Sequence, residues 1–311
     1  MIIDTHCHIM NEDRMSTARA QTSWAEMFAV EETKKGNPTT AEHILSTSFT
    51  QWVDKDGSKT IAIMDKSRID KSFLLGEVTD FDKEDAERPY RERNESLSKI
   101  ARRYPDRFVF FGALYPIARN SAQVLEQTIK KWDIKGIKLD PIGGEYNADD
   151  RTIYRTYEIL QEANMPVVMH CGPRPEDPRL RGSHPEIIDK VLADFPELTI
   201  IAAHMGFAWW RELIEVGKKR PNLNCDISAN QLSAALYFER FCHILRKVLD
   251  GFGSERVMFG TDGPYFDYFI SRPDWVKLIG GLPEKSSAST RFTKKEVTNI
   301  LGENARRLLA R

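Results

Sequence analysis

The 311-residue chain has no apolar stretch close to the roughly 20 residues that a membrane-spanning helix needs, so nothing in it argues for a bilayer. It has almost no net charge: 45 basic against 46 acidic residues leave −1, which removes the electrostatic footprint of a nucleic-acid or anionic-membrane binder. Its beginning, Met1-Ile2-Ile3-Asp4-Thr5-His6, lacks the charged-then-apolar pattern of a secretory leader, and we read it as the start of a cytoplasmic protein. Cysteine is scarce. Cys7, Cys171, Cys225 and Cys242 lie far apart with no CxxC pair, so free thiols are expected rather than a disulfide framework. No glycine-rich phosphate turn follows the first apolar run, as an open doubly wound nucleotide-binding sheet would need. There is no low-complexity tract. What remains is an ordinary globular composition, 41% apolar and 29% charged, in a chain long enough to bury a sizeable core. The partner expected is a small-molecule substrate, and a homodimer stays open.

Eight short apolar runs are present: 1–5, 71–78, 108–115, 136–139, 166–170, 198–204, 223–227 and 256–261. Most are apolar throughout rather than alternating, as parallel strands buried on both faces require. From the third onward they recur about every 25–35 residues, one strand-plus-helix unit each. Helical patterns fill the gaps at 90–104, 121–132, 150–164, 183–195, 209–220, 232–251 and 293–309, several closed by Tyr104-Pro105, Phe195-Pro196 or Arg220-Pro221. Strict alternation of this kind predicts one (β/α)8 TIM barrel over 1–311, with an open doubly wound sheet as the fallback. About 60 residues separate the first two runs, twice what one unit needs. Residues 10–70 are therefore expected to carry an insertion over the catalytic face, with Trp24, Phe28, His43, Phe49 and Trp52 available to wall a pocket. Residues 266–289 are a second candidate cap.

Four of the seven histidines sit at the C-terminal ends of these runs: His6 and His8 on the first, His170 on the fifth, His204 on the sixth. Asp262 follows the eighth. In a barrel all such ends open onto one face. Alternation along a strand puts His6 and His8 on the same side and Cys7 opposite. Two imidazoles so placed, a third from His170 and a carboxylate from Asp262 make a nitrogen- and oxygen-rich set for one divalent ion, zinc first, with manganese or iron also suited. Such an ion lowers the pKa of its water and makes hydroxide available. His43 lies in the insertion, His184 opens a helix and His243 lies within one; these are read as structural, with His43 the one that could line the pocket.

The segments Asp4-Thr5-His6-Cys7-His8, Gly136-Ile137-Lys138-Leu139-Asp140-Pro141, Val168-Met169-His170-Cys171-Gly172, Ala203-His204-Met205-Gly206 and Gly260-Thr261-Asp262 together resemble the amidohydrolase superfamily. The closer resemblance is to the branch that contains aminocarboxymuconate-semialdehyde decarboxylase, and it runs in order from Ile3 to the closing stretch 301–308. The branch holds hydrolases, lactonases, hydratases and non-oxidative decarboxylases on one barrel. It implies a mononuclear site in which the strand-six histidine, here His204, is not a ligand. Binuclear members of the superfamily instead carry a carboxylated lysine on strand four, here Lys138. We expect one ion, with Lys138 near the substrate or paired with Asp140. Some decarboxylases of the branch begin Glu-x-His where this chain has His6-Cys7-His8, and many members have Tyr-Pro or Trp-Pro where it has Gly263-Pro264.

The leading expectation is hydrolysis, with metal-bound hydroxide attacking an amide, ester, lactone or carbon–carbon substrate that carries a carboxylate. Asp262 would take the water proton and His204 would orient the water or polarise the carbonyl. The alternative is non-oxidative decarboxylation of an aromatic or unsaturated carboxylate, and a non-catalytic metal scaffold comes third. Arg174 could clamp a carboxylate bidentately, and Tyr265, Asp226, Ser228 and Asn230 are further polar candidates at strand ends.

Overall fold

Short runs of Ile, Val, Leu and Phe form strands when both of their faces are covered. They do so eight times in the computed structural model, which describes residues 1–10, 18–78, 87–174, 181–285 and 290–310. The strands are β1 (Ile3–Cys7), β2 (Lys71–Leu75), β3 (Phe108–Ala113), β4 (Gly136–Leu139), β5 (Val167–Met169), β6 (Ile200–Ala202), β7 (Leu223–Asp226) and β8 (Val257–Met258). They stand in chain order in one sheet, each parallel to the next. Beyond β8 the chain returns to β1. The Thr5 N–H donates to Phe259 O at 2.8 Å, the Asp262 N–H to His6 O at 2.8 Å and the His8 N–H to Gly263 O at 2.9 Å. With helices between the strands this is a TIM barrel, as the alternation predicts.

The absence of period-two alternation has its cause in the packing. Ile3, Phe73, Leu75, Phe111, Val168, Ile201 and Met258 fill the barrel interior. Neighbours such as Leu74, Phe110, Ile137 and Met169 point outward into the layer between strands and helices. The strands are shorter than the apolar runs, so His8, His170, His204 and Asp262 stand just past the strand ends, on the connecting segments.

Between β1 and β2 lie helices Ala18–Lys34, Ala41–Ile44 and Ser58–Ser67, with a π turn at Leu45–Phe49. Residues 11–17 of the expected insertion lie outside the described residues. Ala25, Phe28, Ile44 and Phe49 pack with Met10 into a cluster of their own, closed by Trp52, Tyr265, Tyr268 and Phe269. Phe28 stacks on Tyr268 with ring centroids 5.0 Å apart. The first helices of this segment are thus roofed against the chain that follows β8. Of the aromatic residues expected to wall a pocket, Trp24 lines the cavity beside the strand ends, and Phe28, Phe49 and Trp52 instead fill this cluster. Two expected helices are divided. The span 232–251 is Gln231–Leu236 and Phe238–Phe252, broken at Tyr237 (φ −142°, ψ 60°). The span 293–309 is two α segments joined by a π turn at Asn299–Glu303. The second candidate cap holds a 3₁₀ turn at Tyr265–Tyr268 and helix Arg272–Gly280, with residues 286–289 outside the described residues. No helix among the described residues is long and apolar enough to cross a membrane.

Candidate metal centre

His6 is the penultimate residue of β1, with its ring buried. Its Nδ1 lies 2.9 Å from Asp226 Oδ2, so Nε2 is the nitrogen turned to the barrel axis. Asp262 Oδ1 lies 3.6 Å from that Nε2 and 3.3 Å from His8 Nε2. His6, His8 and Asp262 therefore present three buried donor atoms within 4.8 Å of one another. Two ligands each about 2.1 Å from one ion at tetrahedral angles lie about 3.4 Å apart, so the spacing fits a single divalent ion. Cys7 turns the other way, with its Sγ 3.5 Å from Arg272 Nη1, as alternation requires.

His204, Asp226 and His6 form a second donor group. Both oxygens of Asp226 are already engaged, Oδ2 by His6 and Oδ1 by the backbone N–H groups of His204 and Ser228 at 3.0 and 2.9 Å. It is placed to orient the His6 ring and the turn that carries His204. Asp226→Asn should weaken metal binding about 10- to 100-fold while leaving the fold intact, checked by a chelator competition on each protein. An unchanged metal affinity would remove that role.

His204 is not on a strand. It opens a turn in which His204, Met205, Gly206 and Phe207 have φ of 64°, 50°, 72° and 46°. Non-glycine residues in this region cost about 1–3 kcal/mol each, and such strain collects at functional sites. The turn aims the ring: Nδ1 lies 2.8 Å from Ser228 Oγ and 3.9 Å from Asp262 Oδ2, and Nε2 lies 3.2 Å from His170 Nδ1. His170 Nε2 lies 3.0 Å from the Gly172 carbonyl oxygen. His170 thus stands beside His204 rather than within the His6–His8–Asp262 donor group, with Nδ1 as its inward atom.

Burial governs the protonation of these rings. It lowers His6, with Lys138 adding to the effect, lowers His204 well below the ordinary histidine value, and pushes His170 down to about 3 with help from Arg174. Neutral imidazoles are what a cation requires of its ligands.

Glu77, which the sequence pattern does not single out, lies 3.7 Å from His8 Nε2 through its Oε2. The only sign of it is an acidic residue near the end of a mostly apolar run. Arg174 Nη2 donates to Glu77 Oε1 at 2.9 Å and makes a short bond to Asp140. Burial raises the Asp140 carboxyl, but the Arg174 guanidinium outweighs it and holds Asp140 below the carboxylate range. Asp140 therefore meets Arg174, and the Nζ of Lys138 lies 3.5 Å from His6 Nε2. Lys138, Arg174 and Tyr265 all line a cavity of about 40 Å³ over the donors, walled by Trp24, Phe207, Tyr265 and Phe266. Asn230 supports the backbone, its Nδ2 donating to Ser228 O at 3.0 Å. His43 and His243 are exposed, and His184 caps helix Pro185–Asp194, accepting from the Glu186 N–H at 3.4 Å.

The small residue after Asp262 also has a reason. A Cβ at Gly263 would lie 2.3 Å from Arg272 Nη2, and Arg272 is fully buried against Asp267 at 2.7 Å. Arg272 occupies the room a bulky residue would take. Gly263→Trp should lower stability by about 1–3 kcal/mol, read as a fall in thermal midpoint. A midpoint unchanged within error would show that Arg272 yields freely.

A barrel whose polar residues converge past the C-terminal strand ends has the architecture of a TIM-barrel enzyme. The amidohydrolase family Amidohydro_2 matches residues 3–311, and the chain belongs to that family. Among solved structures it is similar to an uncharacterized TIM-barrel protein from Bordetella bronchiseptica, at 23% identity and TM-score 0.68 over 99% of this chain and 98% of that one. It is also similar to 5-carboxyvanillate decarboxylase from Sphingomonas paucimobilis, at 17% identity and TM-score 0.68 over 99% and 98%. A dihydroxybenzoic acid decarboxylase from Polaromonas sp. JS666, solved with bound manganese and 2-nitroresorcinol, matches at 16% identity and TM-score 0.68 over 99% and 96%. Among curated proteins, protein fluG of Emericella nidulans is 25% identical over 123 residues, 38% of this chain. That match spans only 14% of the relative's length.

Proposed function

We propose that this protein is a divalent-metal-dependent, non-oxidative decarboxylase of an aromatic or unsaturated carboxylate, with manganese or zinc as the ion. The observation that carries the reading is the setting of the donors. The buried donors His6, His8 and Asp262 open into a cavity lined by four aromatic rings, with Lys138 beside His6. Aromatic side chains around the mouth of the donors suit an aromatic ring, and a cation near the donors suits its carboxylate. The likeness in fold to two aromatic-acid decarboxylases, one solved with manganese, points the same way.

When bound, the ion supplies a positive charge that draws the substrate's carboxylate or a neighbouring oxygen. His6, His8 and Asp262 hold it, with His170 as the ring available to complete the set. Lys138 adds a second positive charge at the carboxylate. The carbon–carbon bond to the carboxyl group breaks, carbon dioxide leaves, and a proton takes its place on carbon. We assign the relay of that proton, taken up from the substrate's own hydroxyl or from water and passed to carbon, to the Asp262–His204 pair, 3.9 Å apart. Arg174, held by Glu77 and Asp140, keeps those carboxylates in place rather than clamping the substrate. Hydrolysis, the first expectation from the sequence, would use the same Asp262–His204 pair. The two are separated by product. Manganese-loaded protein given a panel of hydroxylated benzoates should release one carbon dioxide per acid consumed, and chelated protein none. Turnover of esters, lactones or amides without carbon dioxide would favour the hydrolase.

A further inference from the structure

The cavity over the donors is too small to enclose the whole of a substrate. Its volume of about 40 Å³ lies far below the roughly 300–1,000 Å³ usual for small-molecule sites. A second cavity of about 570 Å³ shares four of its walls, Trp24, His204, Phe207 and Phe266. Phe207 is the partition between them. It stacks on His204 at 4.8 Å and 15°, and its other side is fixed by Gly172, where a Cβ would lie 2.5 Å from the Phe207 ring. The larger cavity is lined by apolar side chains, Met27, Leu232, Leu236 and Ile244 among them, and its rim carries Lys34, Arg211 and Arg240. Among the described residues, the one acid on that rim, Glu31, is bound by Lys34 at 2.6 Å, and Arg240 makes no ion pair.

We propose that this groove holds the body of the substrate, which is an elongated acid: one carboxylate reaches past Phe207 to the metal donors, an apolar body lies along the groove, and a second anionic group meets Arg211 and Arg240. The inference rests on the decarboxylase reading only for what happens to the first carboxylate. Volume decides that the body lies outside the small cavity, continuity with His204 decides where, and the surplus of cations on the rim decides the charge at the far end.

The test is calorimetric binding to manganese-loaded protein of three probes: benzoate, biphenyl-4-carboxylate and biphenyl-4,4′-dicarboxylate. The monoacid should bind roughly tenfold more tightly than benzoate through its added apolar burial, and the dicarboxylate more tightly again. Leu236→Trp, which fills the groove away from the donors, should abolish the advantage of both long acids and leave benzoate unchanged. The double variant R211E/R240E, at exposed positions, should remove only the dicarboxylate's extra gain and keeps the test open if Leu236→Trp fails to fold. Equal binding of benzoate and the long acids, insensitivity to both variants, or long-acid binding unchanged without manganese would each overturn the proposal. Carbon dioxide release is read separately. Long acids that bind as described but release none would sink the decarboxylase reading while the groove assignment stands.

Discussion

Replacement of His8 by alanine is expected to strip the divalent ion and turnover together, with kcat/KM falling about a thousandfold or more, because the charge that the ion supplies goes with it. His8 contributes one of three donor atoms, 3.3 Å from Asp262 Oδ1, and its Nδ1 makes no hydrogen bond among the described residues. Its loss should therefore cost little stability beyond that of the ion. His6→Ala should lose metal and turnover equally but unfold more easily. It leaves Asp226 Oδ2 buried without its 2.9 Å partner, a penalty of about 1–3 kcal/mol. Metal content after desalting, steady-state rate and thermal midpoint separate the two variants. A His8→Ala protein that retains its ion at full occupancy would mean the donor set is misassigned.

His204→Ala should behave in the opposite way, keeping the ion and losing turnover about 10²- to 10⁴-fold, the range for removal of a positioned proton-transfer group. The ring lies 3.9 Å from Asp262 but outside the His6–His8–Asp262 donor group. Its neighbours Ser228 and His170 lose a partner, so a thermal midpoint must be read beside the rate. A variant that loses metal in step with activity would make His204 a ligand and move the proton-transfer role elsewhere.

The barrel was legible because a strand covered on both faces writes itself as a continuous apolar run. Phe73 and Leu75 fill the interior while Leu74 meets the helices, so none of these three positions has room for a polar residue. His6 and His8 were legible for the complementary reason, two imidazoles at spacing two in a stretch where apolar residues belong. Glu77 and Asp226 were not singled out for their roles. A lone carboxylate after a strand looks the same whether it faces solvent or a ligand, and only closure of the barrel brings Asp226 to His6, 220 residues away in sequence. The left-handed turn at His204 has no sequence sign beyond Gly206, since Met205 and Phe207 adopt positive φ only because surrounding contacts hold them there. The break at Tyr237 escaped the apolar periodicity, which continues across it in phase.

Elemental analysis of the purified protein tests the account most directly. A single centre built on His6, His8 and Asp262 predicts about one divalent ion per chain, with Lys138 as a free amine beside His6. Two ions per chain with a carboxylated Lys138, or protein that turns over at full rate with none, would contradict it.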